Sequence, residues 1–67
     1  MRDPNRIDKF CDELKTIWHK VPDWRFGQFM VNMDQIIHIH YDKDMFYIED
    51  DDMLEIMKDY FKEQENA

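Results

Sequence analysis

Apolar residues Ile7, Phe10, Cys11, Leu14, Ile17, Trp18 and Val21 recur at steps of three and four, the spacing that gathers side chains into one stripe on a helix. Asp3 followed by Pro4 supplies a start, since an aspartate accepts from first-turn N–H groups and proline at the first helical position loses no needed donor. The spacing therefore predicts a first helix over residues 4–20, ended by Pro22, which pushes its predecessor out of the helical region. Phe26, Phe29, Met30, Met33 and Ile36 or Ile37 repeat the period, and with Asp23 as cap they predict a second helix over 24–36.

From Ile36 the pattern changes. Ile37, Ile39 and Tyr41 alternate with His38 and His40, and beyond Asp42-Lys43-Asp44 comes Met45-Phe46-Tyr47-Ile48. β-Branched and aromatic residues around a polar turn read as a two-stranded flap over 37–49; the competing reading is an extension of the second helix followed by a loop. Glu49-Asp50-Asp51-Asp52 then puts negative charge at the amino end of a third helix, residues 51–63, where it complements the helix dipole. Asp52 and Glu55 have capping-box spacing, and Met53, Leu54, Met57, Tyr60 and Phe61 form the stripe, with fraying expected from Glu63 to Ala67. The expected fold is all-α: one domain over 1–67, three short helices in an antiparallel or orthogonal bundle, with the flap as the variable part. Gly27, inside the second helix, predicts close approach of a neighbouring backbone.

Size changes how this core is read. A chain of 67 residues buries only about 60% of the surface it exposes when unfolded. One cysteine excludes an internal disulfide and no four-ligand zinc spacing occurs, so self-association or a partner is the remaining supplement, and a homodimer or assembly subunit is one reading of the chain. Met1 to Asn5 is polar, unlike an export leader, no stretch has the length of a membrane span, and a lone cysteine suits a reducing interior, so the expected location is the cytoplasm, with no membrane partner.

Charge separates the two halves. Residues 34–67 hold eleven carboxylates against three lysines, a balance of −8, whereas residues 1–33 balance at +1. A field of that sign repels phosphate backbones and attracts basic proteins. The third helix is too acidic for a DNA-reading element, so no direct nucleic-acid binding is expected. The expected partner is a protein with a basic surface. Its candidate docking residues are Tyr41, Asp44, Phe46, Tyr47, Glu49, Asp50, Asp51, Asp52 and Glu55, where carboxylates stand in for phosphates and aromatics anchor.

Other chemistry is thinly represented. His38, His40 and Asp42, with Asp44, form a weak candidate metal set, because alternate residues share one face of a strand. Glu49 to Asp52 lacks the alternating oxygen ligands and central glycine of a calcium loop. Cys11 and His19 are about 12 Å apart along one helix, too far for a nucleophile–base pair, and Cys11 reads as a small core residue. Trp18 and Trp24 read as core. One glycine cannot build a phosphate loop. No catalytic set and no cofactor are expected: the chain reads as a non-enzymatic interaction module, with structural and metal-binding roles as alternatives.

The run Pro22-Asp23-Trp24-Arg25-Phe26-Gly27-Gln28, with Arg6-Ile7 and Trp18 before it and Asn32 and Asp44-Met45-Phe46-Tyr47-Ile48-Glu49-Asp50 after it, resembles a group of small bacterial and phage-borne proteins of unassigned activity. They share a Pro-Asp-x-Arg-x-Gly-Gln corner and a Phe-Tyr-Ile-Glu-Asp start to the last helix. The resemblance implies a cytoplasmic, helical protein of mobile-element origin. Met33 to Tyr41 departs from the pattern, so it lends His38 and His40 no support.

Overall fold

A computed structural model describes residues 2–65, with side chains through Lys62. The chain folds into helix α1 (Arg6–Trp18), helix α2 (Phe26–Tyr41), a single 3₁₀ turn (Met45–Tyr47) and helix α3 (Asp50–Glu65). The all-α expectation holds. Among the described residues there is no strand, so the two-stranded flap is corrected.

The reason lies in a second period hidden in the same letters. Phe29, Met33, Ile37 and Tyr41 stand at four-residue steps, so one apolar face runs unbroken to the end of α2, and the first three are fully buried. Burying that face outweighs the two-residue alternation, which leaves Ile39 71% exposed. Asp42 ends the helix in the left-handed conformation at φ 53°, its N–H bonded to the Ile37 carbonyl.

Both ends of α1 move inward from the expected 4–20. Asp3 Oδ1 accepts from the Asn5 N–H at 3.0 Å, and the Arg6 N–H bonds the Asp3 carbonyl at 3.2 Å, so Asp3 and Pro4 form an introductory turn. At the other end, Lys20 and Val21 donate to the carbonyls of Ile17 and Trp18, tightening the chain before Pro22. The corner is longer than expected. Asp23 does not cap α2; that helix begins at Phe26, and Gln28 Oε1 accepts from the Arg25 N–H at 2.9 Å. The third helix opens at Asp50 and reaches Glu65, so Asp52 lies within the first turn instead of at a cap, and of the expected frayed tail residues 66–67 lie outside the described residues.

Among the described residues nine apolar side chains form the core: Ile17 from α1, Phe29, Met33 and Ile37 from α2, and Met53, Leu54, Ile56, Met57 and Phe61 from α3. Its centre is aromatic. Phe29 meets Trp18 at 5.9 Å, Trp24 at 6.1 Å and Phe61 at 6.5 Å between ring centroids. Both tryptophans are half-buried against this cluster. Cys11 is exposed, correcting its assignment to the core: it stands about 100° around the helix from Phe10, on the flank of the buried stripe. Gly27 is corrected too, since a Cβ there would meet nothing within 4 Å. Among the described residues no helix is long and apolar enough to cross a membrane.

Candidate interaction surface

The segment between α2 and α3 is built to present two aromatic rings. Asp44 Oδ1 accepts from the Phe46 N–H at 3.0 Å and sets the 3₁₀ turn. With three residues per turn, Met45 and Ile48 fall on the same side, and both pack against the core. Phe46 and Tyr47 are left on the other side, 84% and 78% exposed, with their rings edge to face at 5.0 Å. Two flanking apolar pegs therefore hold a pair of side chains that the fold does not bury.

Beside them α3 begins, with Asp50, Asp51 and Asp52 in its first turn. The helix dipole favours carboxylates there, which is why a run of three is tolerated. Not all of this charge faces outward. Arg2 pairs with Glu49 at 2.9 Å and Arg6 pairs with Asp50 at 3.1 Å, so the basic start of the chain is laid against the acidic start of α3. Among the described residues Asp51, Asp52 and Glu55 are exposed and have no ion-pair partner. Both arginine pairs reach solvent, with side chains 41–64% exposed, and are of the kind worth about 0–1 kcal/mol, so a competing cation can open them.

A shallow groove of about 630 Å³ continues along α3, lined by Tyr41, Lys43, Asp52, Glu55, Ile56, Lys58 and Asp59. Asp59 was not among the expected docking residues; the Tyr41 hydroxyl donates to its Oδ2 at 2.9 Å. Tyr41 and Asp59 are eighteen residues apart, and only the extension of α2 to Tyr41 brings them together. A smaller depression of about 270 Å³ joins it through Asp52 and Lys43 and reaches Asp44, Tyr47 and Glu49. The structure thus gathers Tyr41, Asp44, Tyr47, Asp52 and Glu55 around connected grooves, and diverts Glu49 and Asp50 to arginines.

The histidine set loses its geometry. On a helix, residues two apart are about 160° from each other around the axis, so His38 and His40 point to opposite sides. The His40 ring lies 6.1 Å from that of Tyr60. Among the described residues no group of three or more His, Cys, Asp or Glu side chains is placed to hold a metal ion.

One carboxylate is tuned by a distant partner. Lys58 Nζ lies 2.8 Å from Glu13 Oε1, clamping α1 to α3, and this hydrogen bond holds the Glu13 carboxyl below the ordinary glutamate pKa, with the Lys58 and Lys9 charges adding to it and partial burial opposing it.

Set against known protein families, curated proteins and solved structures, the chain matches none.

Proposed function

We propose that the chain is a non-enzymatic interaction module that docks on a protein with a basic surface, as an inhibitor occupying a site where that target binds nucleic acid. The observation that carries the reading is the exposed Phe46–Tyr47 pair, held on a pinned turn at the start of α3, a helix on which Asp51, Asp52 and Glu55 are exposed and make no ion pair among the described residues. Exposed aromatics on a small domain are unfavourable unless they meet something, and aromatic anchors within a charged rim are the composition of protein-binding hot spots. Carboxylates spaced along α3 offer a basic groove the charge that a phosphate backbone offers. The −8 balance of the second half steers such a target to this end of the molecule.

The test is capture on immobilised chain, run beside a variant with Asp51→Asn, Asp52→Asn and Glu55→Gln. A basic protein retained by the wild type, lost by the variant and displaced by added duplex DNA or RNA supports the reading. A partner retained equally by both, or untouched by nucleic acid, contradicts it.

A further inference from the structure

A second surface lies on the outer flank of α1 and shares no residue with the acidic grooves. Ile7, Cys11, Leu14 and Trp18 stand at steps of four, three and four, the spacing of a coiled-coil seam. Ile7 is 52% exposed and Cys11 is exposed, while Leu14 and Trp18 are half-buried against the core, so this seam starts at the edge of the core-facing line of Phe10, Leu14 and Ile17 and leaves part of its apolar surface uncovered. The surface there is already concave. A depression of about 360 Å³ is lined by Cys11, Leu14, Lys15, Trp18, His19 and Pro22. Cys11, Leu14, Lys15 and Trp18 are residues i, i+3, i+4 and i+7, the four corners of the hole that receives a side chain from a facing helix.

Charge chooses the occupant. Asp8 and Lys15 flank the seam on one side, seven residues apart and thus about 10 Å along the axis, too far to pair with each other. Neither makes an ion pair among the described residues. In a parallel copy this side of the seam would face the opposite flank of the other helix, where Phe10 and Ile17 stand, and neither charge would meet its opposite. An antiparallel copy sets Asp8 against Lys15 of the other molecule, twice, by the two-fold axis. We infer that a second copy of this chain docks antiparallel on this face, with Ile7 of each molecule against Trp18 of the other and Cys11 entering the hole beside Leu14. The near-neutral half of the chain carries the contact, so two molecules of net charge −7 meet where repulsion is weakest. The two-fold axis passes between Cys11 and Leu14, bringing the two Cys11 thiols within reach of a short cross-linker.

The experiment is sedimentation velocity over a concentration series for the wild type, Asp8→Lys, Lys15→Asp and the double reversal, with Ile7→Glu as a fifth chain; all three positions are exposed, and circular dichroism verifies the fold. The expected result is a concentration-dependent wild-type dimer. Each single reversal weakens it about tenfold, the double reversal restores it, and Ile7→Glu abolishes it. A short bis-maleimide joins two wild-type chains through Cys11. A monomer at every concentration, a dimer indifferent to Ile7→Glu, or single reversals that the double does not rescue overturns the inference.

Discussion

The indole Nε1–H of Trp18 donates to the backbone carbonyl of Trp24 at 2.8 Å, tying the last turn of α1 to the far end of the corner that leads into α2. The bond fixes where α2 begins, because Arg25, its N-cap, is the next residue. It also seats both indoles against Phe29, so one contact orients the corner and closes one end of the core.

Replacing Trp18 with Phe removes that donor and leaves a half-buried carbonyl unmatched, besides shrinking the ring. The expected loss is about 1–3 kcal/mol, read as a lower urea midpoint at unchanged slope. A variant as stable as the wild type would show that the corner is held by packing alone.

Gly27→Ala is expected to stabilise. The site is helical and exposed, and the added methyl meets open space, so the gain is the helix-propensity difference of up to about 1 kcal/mol. Thermal melts of the two chains check it.

Glu13 sets an acid limit on the clamp between α1 and α3. Folding lowers its pKa below the ordinary value of 4.5, so in the acid range the native chain binds fewer protons than the unfolded one. Stability from this pair is fully present above that ordinary value and is lost as the pH falls through the lowered folded pKa. The difference in melting temperature between wild type and Glu13→Gln should be constant near neutrality and shrink to nothing below that window.

Arg2→Gln with Arg6→Gln frees Glu49 and Asp50. Each exposed pair costs less than about 1 kcal/mol to remove, so the chain stays folded, while its affinity for a basic partner rises, most at low salt. Unchanged affinity would place the contact away from the start of α3.

Much of the helical order was legible because the first and third helices have one dominant stripe each. The segment 37–41 was misread because two periods coexist there: Ile37-His38-Ile39-His40-Tyr41 alternates, yet Ile37 and Tyr41 also extend the line from Phe29 and Met33. Which period prevails depends on what the face can be buried against, and α3 supplies that partner only in three dimensions. The same holds for the surface. The acidic cluster was visible in the letters, but the engagement of Glu49 and Asp50 by Arg2 and Arg6 spans more than forty residues and leaves no local signal. Ile56 was missed from the core because it lies at the edge of the stripe, and Cys11 was wrongly included for the same reason.

Phe46→Ala with Tyr47→Ala should separate folding from binding. Both side chains are largely in solvent, so stability changes by no more than about 0.5 kcal/mol. Loss of two anchors should weaken partner binding by about 2 kcal/mol or more, some thirtyfold.

The most direct measurement is the dissociation constant of the captured partner across a salt series from about 0.05 to 0.5 M, where the screening length shrinks from about 14 to about 4 Å. A contact led by Asp51, Asp52 and Glu55 must weaken at least tenfold over that range. It must weaken less steeply in the variant that has lost those charges. A dissociation constant that stays level across the series contradicts the acidic surface as the docking site.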